Sequence, residues 1–292
     1  MNPLLPVLLT LTLPIAAQGI PVVAQPPPAA QGLPEQFEAN RAAWEGSLAK
    51  GQGTPVRKAT EDLLQQDGVT VNPSDYNGMH VLEAVRNLAA RSCVLEGAWE
   101  DAVAHLEKAS QTASDNAATA EGTFAKLVAQ HQAKLKEWRD ETAIQEKRLQ
   151  ALDAQPGLTS EQIKLKSQIR GFLDEHQKAI AQSEKSLKEI EGLLTLLKEE
   201  QQAYAASLAQ WRAFLAKERA DIARLGTVTA YVAEKLEQVK ADDARPLTER
   251  LAYGRRLQRL DPTSILCQRF VDGLEGRDDD APGARKRQKT TP

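Results

Sequence analysis

The stretch Ile169 to Leu225, IRGFLDEHQKAIAQSEKSLKEIEGLLTLLKEEQQAYAASLAQWRAFLAKERADIARL, decides the fold. Within it Leu173, Ile180, Leu187, Leu194, Gln201, Leu208, Leu215 and Ile222 recur every seventh residue. A second series, Ile169, His176, Ser183, Ile190, Leu197, Tyr204, Trp211, Glu218 and Leu225, stands four residues before the next member of the first. This is the alternation by which a helix presents one narrow stripe to another helix, sustained here for about eight heptads. It predicts an all-α chain: an elongated antiparallel coiled-coil hairpin projecting from a small helical base.

The opposing stripe lies upstream, on an arm from about Ala117 to Leu152 that carries Phe124, Val128, His131, Leu135, Trp138, Leu149 and Leu152. Between the two, Pro156-Gly157 breaks the helix. Thr159 and Gln162 then have the spacing of a capping box, in which each side chain satisfies the other residue's backbone N–H. Two heptad segments joined by a short breaker bury their stripes by folding back on each other. The hairpin is therefore placed at 116–225 with its tip at 153–159. The returning helix, from Ser160 to about Leu225, spans roughly 100 Å at 1.5 Å per residue, more than the arm can cover. Its second half must rest on other helices, and the polar members Gln201 and Glu218 mark where the partner changes.

Those other helices are expected at 35–115 and 226–275. Phe37, Trp44 and Leu48 share a helix face that Gly51 and Gly53 end; Thr54 reads as the cap of a second helix with Pro55 in its first turn. That helix runs to Asp67-Gly68, and Val69 to Gly78 reads as a loop with Asn72-Pro73 and Asn77-Gly78 as turn signals. From Met79 comes a helical pair: Val81, Leu82, Val85, Leu88, Ala89 and Val94 on one member, Trp99, Ala102, Val103 and Leu106 on the other, with Gly97 between. Beyond Gly226 helices are expected over Val228 to Val239, Pro246 to Leu260 and Ser264 to Leu274.

From Gly78 to Asp115 the pair resembles one unit of the tetratricopeptide repeat. Ala90 is the small residue of the first helix, Gly97 the turn, Trp99 the aromatic, Ala102 and Ala109 the small positions of the second helix and Leu106 its bulky partner. Arg86, Cys93 and Ser114 stand where that pattern has an aromatic, a second aromatic and a closing proline. The resemblance implies a helix-turn-helix and, for stacked units, a peptide-binding surface.

The N-terminus has a different character. Leu4 to Ala17 is an apolar run of signal-peptide length, and the first charged residue is Glu35. Residues 1–24 read as a signal peptide, with small residues at Ala17 and Ala24 as cleavage points, and 25–34 as a Pro-rich linker. This predicts export to a periplasmic or extracellular location, with no transmembrane segment once the signal is removed. An uncleaved apolar anchor is the alternative. The tail, 276–292, combines Asp278-Asp279-Asp280 with Arg285-Lys286-Arg287 and reads as disordered. Its basic run is also suited to an acidic polymer, phospholipid or nucleic acid.

With 37 Lys+Arg against 40 Asp+Glu, the net charge of −3 gives no general attraction to nucleic acid, so no specific nucleic-acid partner is expected. Only 4% of residues are aromatic and 26% are charged, a long-helix composition rather than that of a globular enzyme. Cys93 and Cys267 are the two cysteines; in an oxidising compartment they are candidates for a disulfide, the alternative being two small buried hydrophobes. His80, His105, His131 and His176 show no i+3 or i+4 pairing with one another and no Cys at ligand spacing, so neither metal nor cofactor is expected. His131 and His176 occupy seam positions on opposing arms and are placed to approach each other. Carboxylate pairs such as Glu199-Glu200 fall on an exposed helix face. No nucleophile elbow or phosphate loop occurs. Trp44, Trp99, Trp138 and Trp211 sit at seam spacing and read as core anchors.

The reading is a non-enzymatic, exported helical scaffold or adaptor that works through helix-mediated contacts with protein partners of the cell envelope, with self-association as one form of this. Trp99, Leu106, Tyr204 and Trp211 are the candidate contact residues. The alternatives are a repeat-type peptide-binding module with the hairpin as spacer, and a tentacle-like holdase chaperone, whose basic inner surface the near-neutral charge does not provide.

Overall fold

The computed structural model describes residues 33–65 and 76–276. The expected signal peptide, most of the Pro-rich linker, the loop signal Asn72-Pro73 and the tail beyond Gly276 lie outside the described residues. Among the described residues the chain is all-α, with no strand: α1 (Leu33–Ala49), α2 (Gly53–Gln65), α3 (Tyr76–Leu95), α4 (Trp99–Asp153), α5 (Ser160–Leu225), α6 (Val228–Ala241), α7 (Leu247–Leu260) and α8 (Ile265–Glu275). They divide into two compact units, one made of the segments up to Asn116 and from Glu200 onward, the other of Ala117 to Glu199.

The first unit is built around two apolar clusters. In one, Phe37 and Leu48 of α1 and Val56 and Leu63 of α2 pack on Val81, Val85 and Leu88 of α3. In the other, Trp99 is fully buried with its ring 5.8 Å from Trp211, 5.2 Å from Phe214 and 5.1 Å from Tyr253. Edge-on aromatic pairs at this spacing add attraction beyond the area they bury. The turn that aims Trp99 inward is closed by Gly97 N–H on Val94 O (3.0 Å) and Ala98 N–H on Cys93 O (2.8 Å), with Gly97 at φ +70°. A Cβ there would lie 2.3 Å from the Arg256 nitrogen, so the backbone of α7 rests directly on the turn.

One buried cation sits over this core. Arg256 donates to Glu218 (3.2 Å from Nε) and to both oxygens of Glu100 (2.6 Å each), and its guanidinium lies 5.1 Å from the Trp99 ring centroid. Glu218 is therefore not a misplaced polar residue in an apolar stripe. It is the buried counter-ion that ties α5 to α7 and, through Glu100, to α4.

In the second unit α4 and α5 run antiparallel. Glu121 pairs with Lys198 (2.6 Å), His131 meets Ser183 (2.7 Å), Arg139 pairs with Glu184 (2.6 Å), and Asp153 pairs with Lys166. The return begins at the expected capping box. The Thr159 N–H donates to Gln162 Oε1 (2.8 Å), and the Gln162 N–H donates to Thr159 Oγ1 (3.3 Å). Leu135 and Thr142 of α4 and Ile169, Ser183 and Leu197 of α5 are buried, whereas Leu173, Ile180, Leu187 and Leu194 are half-buried.

The repeat-like helix and the hairpin arm are one element: α4 is one helix of 55 residues, because 107–121 holds no proline and buries Ala109, Ala113, Ala117 and Ala120 without interruption. Two local expectations are corrected. Asn77-Gly78 belong to the first turn of α3 rather than to a turn before it, a position where backbone N–H groups need no helical partner. Gly53, not Pro55, opens α2, leaving Thr54 inside the helix.

Candidate functional site

His80 and Glu83 lie three residues apart on α3 and so share one face. Against that face come Asn116 of α4 and Glu200 and Tyr204 of α5. The ligand-type atoms of His80, Glu83 and Glu200 all lie within 4.8 Å of one another. His80 Nδ1 approaches Glu200 Oε2 at 3.4 Å. Asn116 Nδ2 donates to Glu83 Oε1 at 3.3 Å. Glu83 is 2% exposed, Glu200 2% and Asn116 0%, whereas the His80 side chain is 27% exposed. Two carboxylates are thus sealed side by side, with the imidazole as their rim to solvent.

Burial, and then the charge of Glu200, pushes Glu83 up to about 8, against which His80, the Asn116 amide and Arg86 act. Glu200 in turn holds His80 above the ordinary imidazole range. The Tyr204 hydroxyl, buried beside both acids, is raised by burial first and then by Glu83 and Glu200. The nearest guanidinium on α3, Arg86, donates to Lys108 O (2.8 Å) and to the Thr112 hydroxyl, away from the acids. Asn116 Oδ1 is buried without a hydrogen-bond partner, and Glu200 Oε2 is buried with only the 3.4 Å approach of His80 Nδ1.

A second cluster, Glu61, Cys93 and His105, also gathers within 4.8 Å. Its carboxylate is already paired with a guanidinium. Arg57 donates to Glu61 (2.9 Å), Glu96 (3.3 Å) and Asp101 (2.9 Å), and burial pushes the Cys93 thiol up to about 12. His105 is lowered by burial. A buried thiol held in its neutral form beside a fixed cation is neither a ready nucleophile nor a ready ligand.

The four candidate contact residues do not reach the surface. Trp99, Leu106, Tyr204 and Trp211 are all buried in one apolar cluster of the first unit and offer nothing to a partner. Cys93 and Cys267 are both free and buried, the first beside Arg57 and Asp101, the second beside Ser264. His131 and His176 do not meet: His131 faces Ser183, while His176 lies 3.7 Å from Glu141 and against the Phe172 ring. Glu199-Glu200 are not one exposed pair, because Glu199 faces solvent and Glu200 is buried.

Sequence reasoning missed the His80, Glu83 and Glu200 grouping because spacing was sought among histidines and cysteines alone. The available signal was His80-x-x-Glu83 on one face of α3. No family model, no curated protein and no solved structure matches this chain.

Proposed function

We propose that this chain is a non-enzymatic helical scaffold or adaptor of the cell envelope, exported by its apolar N-terminus and acting by docking another helix. The observation that carries the reading is the row Leu173, Ile180, Leu187 and Leu194 on α5. These four large apolar side chains recur at heptad spacing, yet the two-helix unit leaves each of them half-buried. Two helices cover one stripe from one side only; a third helix in the groove completes the cover. The groove beside Leu187 is lined by Leu135, Lys136, Arg139, Glu184 and Lys188, charges of both signs around an apolar floor. That is the pattern of an amphipathic helix-in-groove contact, with flanking charges setting register. Ile144, Ile163 and Leu165 add exposed apolar surface to the same unit.

A photo-crosslinking residue placed at Leu187 in the full chain, expressed in its native envelope, tests this. It should give a discrete protein adduct, either with a second copy or with another helical protein. The same probe at the exposed Lys185 should not. Equal labelling from both positions, or none from Leu187, contradicts the reading.

A further inference from the structure

We propose that His80, Glu83 and Glu200 are the ligands of a divalent first-row cation of the zinc type, with Asn116 orienting Glu83. The donor set is one imidazole nitrogen and two carboxylate oxygens, which zinc accepts. Two ligands at about 2.1 Å on a tetrahedral centre stand roughly 3.4 Å apart. His80 Nδ1 and Glu200 Oε2 are 3.4 Å apart. The Glu83 oxygen lies within 4.8 Å of both, so a small side-chain rotation brings it to the same point.

Charge and unmet hydrogen bonds lead to the same ion. The two acids, one on α3 and one on α5, are each 2% exposed and sit side by side; Arg86 of α3 lies near Glu83 but gives its hydrogen bonds to Lys108 O and Thr112, and the partly exposed His80 is the contact to Glu200. A doubly charged cation with a neutral histidine and two carboxylates makes a neutral buried site. Buried polar atoms in native proteins are almost always partnered, and an ion or water is the common explanation of those that are not. Glu200 Oε2, met only by His80 Nδ1 at 3.4 Å, and Asn116 Oδ1, with no hydrogen-bond partner, lie in one cluster. The first becomes a ligand. The second is free to accept from a water in the fourth position of the cation, while the Asn116 Nδ2 bond to Glu83 fixes that ligand as outer-shell groups do. His80, partly exposed, gives the ion its way in. The site would join α3, α4 and α5 within the first unit. The Glu61, Cys93 and His105 cluster lacks this logic, since Arg57 already supplies its positive charge.

The test uses the full-length untagged chain, stripped with a chelator and titrated with zinc chloride in a calorimeter, with manganese and magnesium chlorides in parallel. One zinc per chain should bind and raise the melting midpoint, manganese should bind more weakly, and magnesium should not saturate in the same range. His80→Ala, Glu200→Gln and Glu83→Gln should each lose at least about tenfold in zinc affinity. Cys93→Ser should lose nothing. Glu83→Gln relieves a buried acid and keeps its shape, so it remains folded by circular dichroism even where the others do not. Zinc bound at less than one per chain, magnesium preferred over zinc, Glu83→Gln binding as tightly as the parent, or Cys93→Ser losing the ion would each overturn the assignment.

Discussion

At Glu83 burial and the neighbouring Glu200 charge act in one direction, and the metal-free chain should show it. The acid is held up to about 8 in the fold, against an ordinary 4.5. Stability from its neutral form is therefore complete below the ordinary value and lost as pH rises through the folded one. His80, also raised, adds a slope of the same sign. The groups facing this acid pair are His80 and Arg86 on α3, Arg41 on α1, Asn116 on α4, and Glu200 and Tyr204 on α5. In the presence of chelator, Glu83→Gln should melt higher than the parent at pH 8 and close to it at pH 4. At about 1.4 kcal/mol per unit of pKa difference, the gain at pH 8 is on the order of a few kcal/mol. A melting series between those values checks it; parallel curves for the two proteins contradict it. Little of this was legible in the sequence. Glu200 stands in a Lys-Glu-Glu run that looks solvated, and only the packing of α5 on α3 turns it inward. Glu218 was legible as an anomaly in the stripe, but its partner Arg256 lies on another helix and carries no spacing signal.

For the helices themselves, the heptad period places α5 to its last residue, and the capping box at Thr159 marks its start, because both are local chemistry. The continuity of α4 was not readable: a repeat unit and a hairpin arm, each plausible alone, share an alanine-rich junction that neither period distinguishes. The turns divide in the same way. Gly157, at φ +79°, has nothing within 4 Å of the point a methyl group would occupy and serves backbone conformation alone. Gly97, at φ +70°, also bears the backbone of α7. Gly157→Ala should therefore cost about 1–2 kcal/mol, the left-handed penalty by itself. Gly97→Ala adds a clash with Arg255 and Arg256 backbone atoms and should cost clearly more, with loss of the Trp99 core. Urea unfolding followed by tryptophan fluorescence compares the two; equal costs would contradict the direct packing of α7 on this turn.

Taken as a whole molecule, the described chain is two units of unequal cover. The first surrounds Trp99, Trp211, Tyr253 and the Arg256 ion network with helices on several sides. The second has two helices and a stripe whose leucines are only partly buried. The seven-residue period runs through the boundary at Glu199 and Glu200 without marking it, and Gln201, whose amide donates to Ser114 Oγ at 3.2 Å, is the first polar seam member beyond it. The all-α class was legible because periodicity reports it directly. How the stripe divides between two sets of neighbours was legible in part: the surplus length of the returning helix and the polar Gln201 placed the change of partner, and the boundary at Glu199 and Glu200 falls beside it. Local opening follows buried contact, so backbone protection should differ between the units. Hydrogen exchange read by mass spectrometry, at a concentration where light scattering reports a monomer, measures this. Exchange should be fast across 122–190, slow across 81–106 and 208–257, and slower in 122–190 once the stripe is occupied. Equal protection of the two units in the monomer would contradict the docking role, because a hairpin already as stable as the base has no uncovered stripe to offer.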